Sequence, residues 1–162
     1  MKNQDKQIDC GYEIINLTAG NYSLYIKQLV KTESETFAEA WTENAYIKDI
    51  CKNDKAYYTA VVRGGTLIAY ANFWYIDGVG NINNVAVVPE FRGCGFGAIL
   101  MKALIERCRQ LGGRAMTLEV RESNTAAVCL YEKLGFESRG IRPNYYADNH
   151  EGAVIMWLSR KS

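Results

Sequence analysis

A single histidine, His150, is what this 162-residue chain is shortest of. One imidazole excludes a histidine-rich metal centre and leaves a Ser-His-Asp triad only one position to use. His150 stands in a polar, turn-like run and reads as a solvated loop residue. Charge of one sign is also missing, since 19 basic and 18 acidic residues nearly cancel. No electrostatic footprint for nucleic acid or anionic lipid is expected. No window approaches 18 consecutive apolar residues, and the N-terminal stretch Met1 to Gln7 has no apolar core. The expectation is a soluble cytoplasmic protein without a membrane span or secretory signal. Paired cysteines are absent too. Cys10, Cys51, Cys94, Cys108 and Cys129 are scattered, odd in number and form no C-x-x-C, so they read as reduced thiols. Repeats, low-complexity tracts and linkers are likewise lacking, and 48% hydrophobic content suffices for one core. The organisation expected is a polar extension over 1–11 and a single domain over 12–162.

The periodicity of the rest predicts a definite order of elements. Glu13 to Leu17 reads as a strand, and Tyr22, Tyr25, Ile26, Leu29 and Val30 recur at helical spacing. A second helix is predicted behind Thr42 as N-cap, with Tyr46, Ile47, Ile50 and Cys51 on its inner face. Ala56 to Arg63 and Thr66 to Ile76 are β-branched and aromatic runs joined by Gly64-Gly65, a hairpin signal. A turn at Asp77-Gly78 leads to a strand over Ile82 to Val88. An amphipathic helix from Ala98 to Leu111 is stopped by Gly112-Gly113, and a strand from Ala115 to Val120 should lie parallel to the one before it. A helix from Asn124 to Leu134 ends at Gly135, and strands follow near Phe136 to Arg139 and over Ala153 to Ser159. An antiparallel meander followed by strand-helix-strand-helix-strand argues for an α/β, mixed sheet flanked by about four helices.

The loop Arg92-Gly93-Cys94-Gly95-Phe96-Gly97-Ala98, between a strand and a helix, has the composition of a phosphate cradle. Glycines admit an anion to the backbone, and the N–H groups of the next helix's first turn point at it. A P-loop would need Gly-Lys-Ser or Gly-Lys-Thr, which does not follow Gly97. Gly93, Gly95 and Ala98 satisfy the dinucleotide fingerprint literally, but Pro89 to Arg92 separate them from the strand, and the upstream region is a hairpin. The third pattern, Arg92-x-x-Gly95-x-Gly97, resembles the pyrophosphate loop of the GNAT superfamily of acyl-CoA N-acyltransferases.

The resemblance extends from about Glu13 onward and is nearest to the RimI type, the ribosomal-protein alanine N-acetyltransferases. It rests on Trp41-Thr42, Asn84 to Val87, Arg92 to Gly97, Leu118 to Asn124, Leu130 to Phe136, Ile141 to Tyr146 and Ala153 to Met156. It implies the GNAT fold and acetyl-CoA as co-substrate, with no metal. It also implies cofactor contacts at Val85, Ala86, Val87, Arg92, Gly93, Cys94, Gly95, Phe96, Gly97, Ala98 and Asn124. The acceptor it implies is a protein N-terminus, such as that of a small-subunit ribosomal protein, in a groove shaped by Tyr145 and Tyr146. Glu151-Gly152-Ala153 departs from the family's frequent Glu-Asp-Ala and bears on the acceptor side.

Acyl transfer to an amine explains why such residues are wanted. An α-ammonium with a pKa of about 7.7 to 8.0 must lose a proton before it attacks, and the resemblance gives that task to Glu119. The departing thiolate needs a donor, and the resemblance gives that to Tyr131. Each residue also has a plainer reading. Glu119 could form an ordinary strand-end ion pair, and Tyr131 continues a core stripe with Ala127, Val128 and Leu134. Asn124 or Ser123 could cap a helix, Tyr145 and Tyr146 could pack a loop, and Cys94 could fill a variable loop position. Val85 to Val87 would meet pantetheine by backbone, as an added strand does. Two alternatives to protein acetylation stand beside it: the same chemistry on a polyamine, amino acid or aminoglycoside, and a non-catalytic acyl-CoA-binding module.

Overall fold

The computed structural model describes residues 11–160, so the 1–11 extension, Cys10 included, lies outside the described residues except for Gly11. Within these residues seven strands form one mixed sheet: β1 (Glu13–Leu17), β2 (Ala56–Arg63), β3 (Thr66–Ile76), β4 (Val79–Val87), β5 (Ala115–Arg121), β6 (Glu137–Arg142) and β7 (Ala153–Ser159). Their order is β1-β2-β3-β4-β5-β7-β6, with β4 and β5 the parallel pair and the other pairs antiparallel. Among the described residues four α-helices accompany it: α1 (Ile26–Thr36), α2 (Glu43–Lys52), α3 (Phe96–Gln110) and α4 (Thr125–Lys133). The mixed sheet and four helices match the expected fold class.

Period-two alternation sends side chains to two cores. Phe73, Ile82, Leu118, Val120 and Met156 pack with α3 and with Tyr131 of α4. Leu17, Tyr58, Tyr70 and Ala86 pack with Ile26 and Leu29 of α1 and Tyr46 of α2. Among the described residues no helix is long and apolar enough to cross a membrane.

Local signals explain most boundaries. Gly64 and Gly65 take φ of 54° and 80°, the left-handed pair that the β2–β3 turn needs. Thr42 caps α2, its hydroxyl accepting from the Ala45 N–H at 3.2 Å. The inner face of α2 differs from the expected one, because Asp49 is buried and Cys51 is exposed. Asp49 turns inward because the Tyr58 hydroxyl and the Trp74 indole N–H donate to it. Tyr22 lies in a short 3-10 turn before α1, and Tyr25 stands at the N-cap position without a side-chain cap. β4 starts at Val79, three residues before the expected Ile82, because Val79 to Asn81 make the ladder to β5.

Candidate active site

The sheet splays in its middle. β4 and β5 pair only from Val79 to Asn81 against Ala115 to Thr117, and beyond that the two strands diverge. On its other side β4 shifts register against β3, Asn72 opposing Asn84 and Phe73 opposing Ile82, so that Asn83 is an extra residue. The bulge reverses the alternation: Ile82 belongs to the α3 core, while Asn84 turns to the α1 side. Val88 N–H donates to Ile68 at 2.9 Å, and antiparallel alternation then turns the Val85 and Val87 backbone groups to the open edge. Ala86 faces β3. An unpaired edge of this kind is what an amide-bearing arm needs for strand-like pairing.

At the end of this edge the glycine loop enters α3. Gly93 and Gly95 have φ of 74° and 88°, and Gly95 stands at the N-cap without a side-chain cap. The first-turn N–H groups of α3 thus lack a side-chain partner there and face outward, as an anion requires. Arg92 turns back instead: Nε donates to the Val87 carbonyl at 3.0 Å and Nη2 to the Thr36 hydroxyl at 3.0 Å. It fastens the loop to β4 and α1. Cys94 is exposed, with its thiol directed to the Arg92 carbonyl.

A cleft of about 900 Å³ opens where the strands part, and Val85, Glu119, Asn124, Tyr131, Tyr145 and Tyr146 all line it. On β5 the buried Met116, Leu118 and Val120 alternate with Thr117, Glu119 and Arg121, which puts Glu119 on the open face. Glu119 Oε1 lies 3.1 Å from Arg142 Nε. The same carboxylate, by hydrogen bond first and burial second, pushes the Tyr145 hydroxyl up to about 12. Tyr131 is buried in α4, and desolvation, with the nearby Tyr146 second, pushes its hydroxyl up to about 12 as well. Asn124 caps α4, its side-chain oxygen accepting from Ala127 N–H at 3.2 Å, while Ser123 N–H donates to Glu151 at 2.6 Å.

His150 is exposed in the β6–β7 loop, at a φ of 60°. Gly152 has a steric reason to be glycine, since a Cβ there would stand 2.7 Å from Glu122 Oε2 and 2.9 Å from Ile141 Cγ2. Among the described residues no three His, Cys, Asp or Glu side chains gather as a metal site would.

Sequence reasoning missed the opposite wall. Glu33 is fully buried and accepts four hydrogen bonds: from Trp41 N–H at 3.2 Å, Asn84 Nδ2 at 2.8 Å, Tyr46 hydroxyl at 2.7 Å and Tyr70 hydroxyl at 2.5 Å. Burial is the largest cause pushing both tyrosine hydroxyls well above the ordinary range. The network joins α1, α2, β3 and the bulged β4, and Glu33, Trp41 and Asn84 line the cleft. The available signal was Glu33 continuing the Ile26–Leu29 stripe at i+7 and i+4, in a chain with 11 tyrosines that need partners when buried.

Residues 24–136 match the model of the acetyltransferase (GNAT) family. This chain belongs to that family. It is an acetyl-CoA-dependent N-acetyltransferase of the RimI type. A Bacillus subtilis (strain 168) protein provisionally named a ribosomal protein bS18-alanine N-acetyltransferase is 36% identical over 134 residues, covering 83% of this chain and 89% of that protein. The Escherichia coli (strain K12) ribosomal protein bS18-alanine N-acetyltransferase is 33% identical over 128 residues, 78% of this chain and 85% of its own. The E. coli crystal structure superposes with a TM-score of 0.81 over 93% of this chain and 96% of that one, at 30% identity. A spermidine/spermine N-acetyltransferase from Vibrio cholerae reaches 0.78 at 18% identity over 92% and 94% of the two chains, a likeness of fold alone.

Proposed function

We propose that the chain moves the acetyl group of acetyl-CoA to the N-terminal α-amine of a protein, the start of a ribosomal protein with alanine first. What carries the reading is the gathering of Glu119, Tyr131, Tyr145 and Tyr146 in one cleft beside the open edge of β4. The names of the bacterial relatives support the acceptor.

In this reading the pantetheine arm lies along Val85, Ala86 and Val87, held chiefly by the outward backbone groups of Val85 and by the Val87 N–H, the Val87 carbonyl being taken by Arg92. The pyrophosphate rests on the N–H groups of Gly93 to Ala98, with Arg92 bracing the loop. Asn124 helps hold the arm by starting α4 where it does. Glu119 takes a proton from the α-ammonium, directly or through water. Arg142 is a replaceable partner for it, because an exposed ion pair is worth only about 0 to 1 kcal/mol. The Tyr131 hydroxyl, held protonated through the neutral range, donates to the departing sulfur. At about 12 it is a weaker acid than a thiol near about 8.5, so donation stabilises charge on sulfur as that charge develops. Tyr145 and Tyr146 wall the acceptor side, where a peptide gains contacts that a small amine does not.

The test is CoA release with an alanine-first peptide, spermidine and free alanine side by side. The peptide should show the highest kcat/KM, and Tyr145→Ala should lower it while acetyl-CoA affinity holds. A preference for spermidine, with Tyr145→Ala and Tyr146→Ala both indifferent, overturns the protein acceptor in favour of a small amine. Gly95→Val strains a residue at φ 88° and puts a side chain in the anion's path. Unchanged acetyl-CoA affinity by calorimetry in that folded variant overturns the loop's role.

A further inference from the structure

Residues 143–152, between β6 and β7, carry Tyr145 and Tyr146, yet most of them are exposed, and Asn144 and His150 both sit at positive φ. A loop with so little buried apolar surface needs another constraint to present two aromatic rings in one place. Its own backbone supplies a few bonds: Tyr145 and Tyr146 N–H both donate to Glu151 O at 3.1 Å, and His150 N–H to Tyr146 O at 2.8 Å. The Asn149 N–H donates to Asp148 Oδ1 and the Glu151 N–H to Asn149 Oδ1, each at 3.0 Å, and these side chains in turn meet one residue.

Arg121, at the end of β5 and two residues beyond Glu119, reaches under this loop. Its Nη2 lies 3.0 Å from both Asp148 carboxylate oxygens, and its Nη1 lies 3.2 Å from Asn149 Oδ1 and 3.3 Å from Glu151 Oε2. Its guanidinium carbon stands 3.9 Å from the centroid of the Tyr146 ring. Three polar side chains and one aromatic face are thereby fixed by one planar group. Glu151 is anchored at its other oxygen by Ser123 N–H, so the clasp is tied to the start of α4 as well.

We infer that Arg121 is a positioning residue, whose guanidinium clamps the 143–152 loop so that Tyr146 is held in the cleft that Tyr131 also lines and the Tyr145–Tyr146 pair forms the acceptor wall. The two rings meet edge to face, their centroids 5.0 Å apart, so fixing Tyr146 fixes its neighbour's ring as well. An isolated surface pair would contribute little, but a forked arginine in a multi-carboxylate network with a stacked ring is the recognised exception. Lysine could meet one carboxylate but can neither fork nor lie flat on the ring. The positive charge is also consumed by Asp148 and Glu151, leaving Glu119 to Arg142 and the incoming ammonium.

The inference rests on the proposed acceptor cleft, so its test has one arm independent of the acceptor. In Arg121→Gln, amide hydrogen exchange across 144–151 should rise about 10-fold relative to wild type, with the sheet amides unchanged. With the alanine-first peptide, KM should rise about 10-fold while acetyl-CoA KM stays within about 2-fold. Arg121→Lys should fall between wild type and Gln in both readings. Asp148→Asn, an exposed change that leaves the core alone, should reproduce a smaller part of the same pattern. Unchanged exchange in folded Arg121→Gln overturns the clamp whatever the acceptor is. Exchange that rises while the KM of the preferred amine, peptide or otherwise, stays level overturns the link to the acceptor wall. Equal losses for acetyl-CoA and amine would mean a general structural role and overturn it too.

Discussion

The two walls of the cleft each present a carboxylate, and the contrast between them separates architecture from chemistry. Glu33 is fully buried, and protein groups from α2, β3, β4 and the loop after α1 donate to both its oxygens. The Glu119 side chain is 30% exposed and has one ion pair, to an arginine itself 59% exposed, besides the Tyr145 hydroxyl. A carboxylate saturated by fixed donors has no lone pair to offer a substrate. One with a replaceable partner at the mouth of a cleft can accept a proton and release it.

The sharpest way to break this comparison is to remove the base and the proton donor in turn. Glu119→Gln keeps size and polarity, and Tyr131→Phe keeps the packed ring. Each should lower turnover at saturating substrates on the order of 100- to 10,000-fold, with melting temperature little changed. If both retain wild-type turnover, the assignment of base and acid fails. If they lose only thermal stability, the plainer reading of an ion pair and a core tyrosine holds.

Removing the carboxylate of the other wall should act on folding. Glu33→Leu leaves the Tyr46 and Tyr70 hydroxyls, Asn84 Nδ2 and Trp41 N–H without their acceptor. Orphaned buried groups cost about 1 to 3 kcal/mol each, part of it recovered by the retained Asn84–Tyr46 bond of 2.8 Å. A loss of about 3 kcal/mol or more is expected from urea unfolding. A midpoint unchanged in urea would show that the network is not holding this wall.

What the sequence made legible follows this division. The strands, the Gly64-Gly65 hairpin, the Thr42 cap and the glycine loop are written in local patterns, as are Glu119 at a strand end and Tyr131 on a helix stripe. The bulge at Asn83 left no local mark, because it depends on how β4 is shared between β3 and β5. Glu33 lies in the polar run Lys31 to Thr36, and its partners stand 8 to 51 residues away. Arg92 reads as an anion ligand by motif, yet its side chain is spent on Val87 and Thr36, a contact only tertiary approach creates.

A smaller and two-sided effect concerns pH. The Tyr131 and Tyr145 hydroxyls titrate near about 12 when folded against an ordinary 10, so their contribution is complete below pH 10 and is lost as pH rises to about 12. Tyr46, Tyr58 and Tyr70 are shifted the same way by burial and add to the alkaline loss. Glu151 runs opposite: Ser123 first, then Arg121 and Asn149, lower its carboxyl to about 2 from 4.5. Its contribution is present above pH 4.5 and fades as pH falls toward about 2. Denaturation as a function of pH should therefore show a steeper alkaline fall in wild type than in Tyr131→Phe. Identical slopes would place the alkaline loss elsewhere.

The smallest expected effect belongs to Asn124, where wall and scaffold meet. Its oxygen accepts from Ala127 N–H and so starts α4, the helix that carries Tyr131 seven residues on. Replacing an N-cap Asn by Ala typically costs about 0.5 to 2 kcal/mol, whereas Asp and Ser, which cap about as well, restore most of it. If capping is the residue's main work, Asn124→Ser should keep both stability and acetyl-CoA KM, and Asn124→Ala should lose about 1 kcal/mol with only a slight rise in that KM. If its free amide instead holds the pantetheine arm, Asn124→Ser and Asn124→Asp should each raise acetyl-CoA KM strongly at full stability. Because the serine and aspartate variants keep the cap and remove the amide, the acetyl-CoA KM alone divides the two roles.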